Sequence, residues 1–177
     1  MEFKELIEAR RSVRKYAAVE ISEAEVAAIV GEALNAPSWK NTEVTRYYAA
    51  VTPEAKRRLR DEALPGFNAA SSADAAALVA VTFRPGESGY MGTEPANEFG
   101  EMWGAYDGGL ASAYFVLAAK DRGWDSLILG IRDAAKVKSI MGIPGDERLT
   151  AVIALGKAAS PAAKPPRKPV GEVLVCR

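Results

Sequence analysis

Hydrophobic side chains recur every three or four residues in several stretches of the chain, the spacing that places them on one face of an α-helix. The clearest stretch follows Ser22, a residue type that caps helix starts, and carries Val26 and Ile29 on one side. By this criterion we predict helices over residues 2–10, 23–35, 53–62, 102–122 and 133–141, the last ended by Gly142.

β-Branched and aromatic residues concentrate instead in short runs, which predict strands over residues 45–51, 77–83, 126–129 and 150–155. Few strands interleaved with helices favour a layered α+β or α/β domain. The stretch 84–97 is rich in turn-forming residues and is of the kind that often carries function. Because no repeat or linker divides the chain, we predict a single domain over residues 1–177.

The end of the chain has a different character. Residues 157–169 are rich in proline, lysine and alanine, and residues 170–175 end in alternating apolar side chains. Such a segment suits a terminal strand, and we expect the extension 157–177 to reach a partner subunit.

Charge and cysteine content narrow the function. The chain has 23 lysine plus arginine against 23 aspartate plus glutamate, so no global positive field attracts nucleic acid or an anionic membrane. Its one cysteine, Cys176, cannot form an internal disulfide or a CxxC pair, which favours a reducing cytoplasm. No run approaches the roughly 20 apolar residues that span a bilayer, and the charged start of the chain is unlike a signal peptide.

The chain contains no histidine. This excludes Ser-His-Asp and Cys-His catalysis, and we expect no metal site. If the protein is an enzyme, either carboxylates, lysine or tyrosine carry its chemistry or a bound cofactor supplies the reactive atoms. Asp107, within a helix of small residues, is expected to be buried with a structural hydrogen-bond partner.

Two short segments carry candidate chemistry. The basic segment, residues 10–14, places Arg10, Arg11 and Arg14 beside the hydroxyl of Ser12, a donor set that can clamp a phosphate. Its alternative interpretation is a solvated helix end. The polar loop, residues 36–42, combines hydroxyl, amide and aromatic groups, and it either lines a site or simply connects a helix to a strand.

In order and spacing, these segments resemble the FMN-dependent nitroreductase family, and the resemblance covers nearly the whole chain. The family's motifs appear as Arg10, Ser12, Arg14 and Tyr16 (R-x-S-x-R-x-Y/F), Ala36, Pro37, Ser38 and Asn41 (A-P-S-x-x-N), Trp103, Asp107 and Gly109 (W-x-x-x-D-x-G), Gly130 after a strand, and Arg167 and Pro169 (R-x-P). The chain departs from the family at Glu43 and Val44, where Gln and Pro are common, and at Pro165, where a lysine is usual.

The resemblance implies an α+β fold with a mixed, mostly antiparallel central sheet flanked by helices, in an intertwined homodimer with two shared FMN sites. It implies that the cofactor phosphate is held by Arg10, Arg11, Ser12 and Arg167, with Lys168 a further candidate, and that Arg14 and Asn68 lie at the pyrimidine end of the ring. Backbone N–H groups of Leu129 and Gly130 would approach flavin N5, and Pro37, Ser38 and Asn41 would come from the other subunit.

The implied activity is that of an NAD(P)H oxidoreductase, which takes hydride from NADH or NADPH and passes electrons by a ping-pong mechanism to a small organic acceptor such as a nitroaromatic or quinone. The chemistry would occur at flavin N5 and on no amino-acid side chain, which agrees with the absence of histidine. The alternatives are a flavin-storage protein, a specialised flavin enzyme such as a dehalogenase, and a dimeric interaction protein without cofactor.

Overall fold

The structure, a computed structural model, describes residues 1–177. Its helices are α1 (Phe3–Ala9), α2 (Glu23–Ala33), α3 (Pro53–Arg58), α4 (Gly66–Ser71), α5 (Met102–Asp121) and α6 (Ala134–Met141). Its strands are β1 (Tyr16–Ala17), β2 (Thr45–Ala50), β3 (Ala77–Phe83), β4 (Tyr90–Met91), β5 (Glu94–Pro95), β6 (Asp125–Leu129) and β7 (Arg148–Ala158). Short 3₁₀ turns occur at Trp39–Asn41 and Val170–Glu172, and a π-helical turn, Leu59–Ala63, continues α3.

The main sheet is five-stranded and its strand pairs are antiparallel. The strands run in the order β1-β7-β3-β2, and β6 also pairs with β7. One isolated parallel bridge joins Ser12 to Ser126. The predicted α+β class is therefore confirmed, and the α/β alternative is excluded because that class needs a parallel sheet.

Two apolar cores lie on opposite faces of this sheet, because neighbouring strand residues point to opposite sides. Leu78, Ala80 and Leu127 belong to the core that includes the π-helical turn and α6. Val79 and Val81 belong to the core that includes α2 and α5. The molecule is thus a helix–sheet–helix sandwich, and β3 and the middle of β7 are buried on both faces.

Helix α5 combines a buried face and an exposed face that are both apolar. Gly104, Ala111, Phe115 and Ala119 pack inward, and a Cβ atom at Gly104 would overlap the ring of Phe83. Small residues therefore let α5 lie close to the sheet. The opposite face leaves Met102, Ala105, Tyr106, Gly109, Ala113 and Tyr114 exposed. No helix of the structure combines the length and the apolarity needed to cross a bilayer.

The predicted helix starting at residue 23 is capped as its sequence indicates, with one difference. The Ser22 hydroxyl accepts the Glu25 N–H at 3.1 Å. The Glu25 carboxylate does not close the reciprocal half of a capping box, because it binds Arg122 and the Trp124 indole instead. A long-range ion pair has replaced a local hydrogen bond.

Several elements differ from the sequence predictions, among them the two-residue strands β1, β4 and β5, which the pattern does not predict. No strand forms over residues 170–175 in the single chain, where the 3₁₀ turn Val170–Glu172 lies, so a terminal strand on a partner subunit stays a prediction. Helix α4 is not among the predicted helices, and it begins where the Pro65 carbonyl accepts the N–H groups of Asn68 and Ala69. Strand β7 is longer than predicted because partners remote in sequence pair with it.

Candidate functional site

The basic segment leaves α1 and is anchored at its centre. Val13 is buried, and its N–H donates to the Ser126 carbonyl at 3.0 Å, which joins the segment to β6. Because side chains alternate in extended backbone, Ser12 and Arg14 on either side of Val13 are exposed. The segment thus presents its polar groups outward from a fixed backbone.

The guanidinium groups of the basic segment have no carboxylate partner. Arg11 donates to the Arg10 carbonyl at 2.7 Å, and Arg14 donates to the Ser12 carbonyl at 3.2 Å. None of the ion pairs of the chain includes Arg10, Arg11 or Arg14. Their charges are therefore available to an external anion.

The C-terminal extension returns to α1 and brings more cations to the same place. Lys164 forms an ion pair with Glu8, and this contact, aided by the charges of Arg11 and Arg167, holds the pKa of Glu8 below its usual value. Arg167 itself donates only to backbone carbonyls, at 3.1 Å to Pro165. Lys168 lies 3.9 Å from Glu172 and is exposed.

Between the basic segment and the extension is an open cavity of about 320 Å³. Residues 12–15 form one wall and residues 160–163 form the other. Sequence reasoning could not have found this cavity, because its walls are remote along the chain.

At the end of β6, a backbone N–H is left open beside an amide side chain. Leu129 is buried, whereas Gly130 is exposed, and a Cβ atom added there would meet nothing within 4 Å. The Gly130 N–H donates no hydrogen bond within the chain. Asn68, 8% exposed, donates from Nδ2 to the Ile131 carbonyl at 2.7 Å and so joins α4 to this turn.

The polar loop has a backbone that its residue types rarely adopt. Lys40, Asn41 and Glu43 have φ angles of 46°, 57° and 49° without being glycine. Left-handed conformations of this kind persist only where surrounding contacts enforce them, and they concentrate at functional sites. Within the loop, the Ser38 hydroxyl accepts the Glu43 N–H at 3.1 Å, and the Asn41 amide donates to the Glu43 carboxylate at 3.0 Å.

The contact that enforces this loop conformation comes from the buried carboxylate of Asp107, which is 2% exposed. Both of its oxygens lie 3.1 Å from the Trp39 backbone N–H, and one accepts the Ser88 hydroxyl at 2.7 Å. The expected structural role for Asp107 is confirmed. It ties the polar loop to α5 and to the stretch 84–97.

A family model described as the Nitroreductase family matches residues 7–157. The chain belongs to the nitroreductase family. This confirms the resemblance drawn from the motifs.

This nitroreductase-family chain is similar to several bacterial proteins. It is 28% identical over 89% of its length to YdgI of Bacillus subtilis (strain 168), assigned as an NAD(P)H nitroreductase, and covers 89% of that protein. A nitroreductase family protein of Clostridium novyi NT is 26% identical, with a TM-score of 0.77 over 89% of this chain and 87% of the other. A structure assigned as a nitroreductase in complex with FMN, from Exiguobacterium sibiricum 255-15, is 23% identical, with a TM-score of 0.88 over 100% and 98% of the chains.

In this nitroreductase-family chain, the predicted site residues fall into two separate groups. In the first group, the basic segment and Arg167 lie beside α1 and the start of β6, and Asn68 and Gly130 lie at the other end of the same strand. The polar loop, with Pro37, Ser38 and Asn41, is held by α5 instead, and no hydrogen bond or ion pair joins it to the basic segment.

Sequence reasoning missed one residue of the first group, Arg132. Its guanidinium donates to the carbonyls of Gly130 at 3.0 Å, Leu149 at 2.6 Å and Thr150 at 3.1 Å. Two of these acceptors belong to β7, so no local pattern could have indicated the contact.

Proposed function

We propose that this chain is an FMN-dependent oxidoreductase that takes hydride from NADH or NADPH and delivers electrons by a ping-pong mechanism to a small organic acceptor such as a nitroaromatic or quinone. One observation carries the proposal: Arg10, Arg11, Arg14 and Arg167 gather at the end of α1 without a carboxylate partner in any ion pair. Family membership and the FMN in a structure of the same fold add support.

The donor set suits the phosphate of FMN. A phosphate monoester carries between one and a half and two negative charges at about pH 7. Arg10, Arg11 and Arg167 offer planar guanidinium forks that match its oxygens, and Ser12 adds a hydroxyl. Lys168 is exposed beside them and is proposed as a further, weaker contact.

The opposite end of the proposed site suits the flavin ring. Gly130 has no side chain to block a flat ligand, and its free N–H points to a hydrogen-bond role beside N5, above the buried Leu129. Arg14 and Asn68 are proposed at the pyrimidine end, where a cation stabilises negative charge. When bound, FMN would supply the hydride-accepting atom, so that no catalytic side chain is needed.

The remaining contacts are proposed to come from a second copy of the chain. Pro37, Ser38 and Asn41 lie on the polar loop, apart from the basic segment, so a complete site needs the loop of another subunit. The exposed apolar face of α5 supplies a surface for such a homodimer, because monomeric proteins rarely leave large contiguous apolar patches in water. Met102 and Tyr106 on this face are each 54% exposed.

We further propose that the extension 157–177 reaches the partner. Val170, Val173, Leu174 and Val175 are between 57% and 77% exposed, a poor arrangement for apolar side chains in a single chain. The outer edge of the sheet offers a binding surface for this segment, because one side of β2 has no strand partner. There α2 and β2 enclose an apolar groove of about 450 Å³ that includes Val30 and Tyr47. An extended segment of a second copy would pair with the free side of β2 and cover the apolar groove.

The compartment is proposed to be the cytoplasm, a reducing setting that suits the single exposed thiol of Cys176.

The decisive experiment is anaerobic mixing of the FMN-loaded protein with NADH and, separately, with NADPH. We expect the flavin absorbance to bleach with at least one nucleotide and to return when a quinone or nitroaromatic is added. A protein that keeps FMN but is reduced by neither nucleotide would be a flavin store. A protein that stays monomeric and binds no added FMN would contradict the proposal that the chain is an FMN-dependent oxidoreductase.

A further inference from the structure

Arg132 occupies an unusual environment for an arginine. Its three hydrogen bonds all go to backbone carbonyls, and its Nε–H is buried without any acceptor. No carboxylate forms an ion pair with it. A partly buried guanidinium without a counter-charge is costly, so its retention calls for a role that a neutral residue would not perform.

The three acceptors show what Arg132 holds together. Gly130 lies at the exposed turn after β6, whereas Leu149 and Thr150 belong to β7. The guanidinium therefore bridges the turn to the central strand of the sheet. From the other side, Asn68 donates to the Ile131 carbonyl at 2.7 Å. The Asp133 N–H donates to the Ala63 carbonyl at 2.8 Å, so successive residues of the turn are each held by a different element.

The turn is thus rigid, yet it is open to solvent. Ile131 is 63% exposed, and the Gly130 N–H makes no bond within the chain. The Gly130 carbonyl fixes the peptide plane between Gly130 and Ile131, whereas the Gly130 N–H belongs to the preceding plane, which begins at Leu129 in strand β6. With both flanking planes held, a donor without an internal partner is organised for an acceptor outside the chain.

We propose that Arg132 is a positioning residue of the flavin site: its guanidinium locks the turn 130–132 onto β7 and keeps an unneutralised positive charge beside the backbone of Gly130. This inference rests on the proposed function, which puts the Gly130 N–H near flavin N5. The charge favours the reduced, more negative flavin, and the lock keeps the Gly130 N–H aimed at the ring.

Two substitutions separate the charge from the lock. Arg132→Met removes both. Arg132→Lys retains the charge, but an ammonium cannot fork to carbonyls on two different segments. Lys138→Met is the matched control, because it removes one positive charge from the neighbouring helix α6, and this ammonium donates to the Gly145 carbonyl and to no residue of the turn.

In the flavin-free protein, the Asp133 N–H donates to the Ala63 carbonyl, so exchange of this amide reports whether the turn is held. We expect it to exchange at least about tenfold faster in both Arg132 variants than in the parent chain or K138M. In the FMN-loaded protein, R132M should lower the equilibrium constant for two-electron reduction about tenfold, or about 30 mV, whereas R132K should leave it near the parent value.

The exchange rate tests the lock, and the flavin potential tests the role of the charge. Exchange at residue 133 that stays at the parent rate in both variants would overturn the lock, and a potential in R132M equal to that of K138M would overturn the role of the charge. If R132M does not fold, Arg132→Gln removes the charge in its place, and R132K still tests the lock through exchange. A parent chain that binds no FMN would defeat the proposed function, while the exchange measurement would still test the lock.

Discussion

The basic segment and the polar loop contribute to one proposed site in opposite ways. In the basic segment the backbone is ordinary and the charges are unsatisfied, since Arg10, Arg11 and Arg14 contact at most a neighbouring carbonyl. In the polar loop most side chains are uncharged and the backbone is strained. The buried carboxylate of Asp107 on α5 holds this backbone in place. The basic segment thus supplies positive charge, and the polar loop supplies a fixed backbone conformation.

The difference shows where binding energy and stability reside in such a site. Charges without internal partners cost little where they are exposed, and they are available to a ligand. A strained loop must instead be stabilised from within the fold, here by Asp107. Variants of the first region should therefore change ligand binding, and variants that release the second should change stability.

The largest effect should follow from preventing dimer formation, because the basic segment and the polar loop of one site are proposed to come from different subunits. Gly109 lies on the exposed face of α5 and has open space around its Cα, so Gly109→Arg leaves the single chain intact but obstructs a second copy. We expect monomers by analytical ultracentrifugation and no measurable FMN binding. Gly145→Arg places the same side chain on the exposed loop after α6 and should do neither. A G109R dimer that binds FMN normally would show that α5 is not the interface.

The next effect concerns charge alone. Arg10→Ala removes one charge-assisted hydrogen bond and should raise the Kd for FMN by about 10- to 100-fold, measured by fluorescence titration. Arg122 is the matched control, because its guanidinium is already bound by Glu25 and Glu32 at 2.8 and 3.0 Å. An equal loss of affinity in R10A and R122A would remove the phosphate assignment.

A stability effect tests the loop. Asp107→Ala leaves the Trp39 N–H and the Ser88 hydroxyl without their acceptor, and should lower the free energy of unfolding by about 1–3 kcal/mol in urea titrations. Hydrogen exchange at residues 38–43 should accelerate with it. Asp146→Ala, an exposed aspartate, should change neither quantity. Unchanged exchange in D107A would mean that the loop holds its own conformation.

The smallest effect depends on pH. Hydrogen bonds from Arg122 and Trp124 depress the pKa of Glu25 below its ordinary 4.5. Because the folded pKa is the lower one, this stabilisation is complete above about pH 4.5 and is lost as the pH falls through the folded pKa. Arg122→Ala should therefore lower Tm by at most about 4 °C near neutral pH, and by less in acid. A difference in Tm that grows in acid would contradict this sign.

Much of the fold follows from local pattern. The Ser22 cap and the apolar face behind it predict α2, and the β-branched run at 77–83 predicts β3 with the observed bounds. The predicted terminal strand over 170–175 did not form in the single chain, because a strand needs a neighbour and periodicity does not supply one.

The amino-acid sequence by itself determined five of the six helices, the four longest strands, the family motifs and the absence of histidine chemistry. Those properties depend on residue type and on spacings of a few residues. Only the tertiary structure decided that Arg167 returns to the basic segment, that Asp107 holds the polar loop, and that Arg132 bridges Gly130 to β7. These contacts join residues far apart in the chain, and their geometry exists only once the two cores have packed against the sheet.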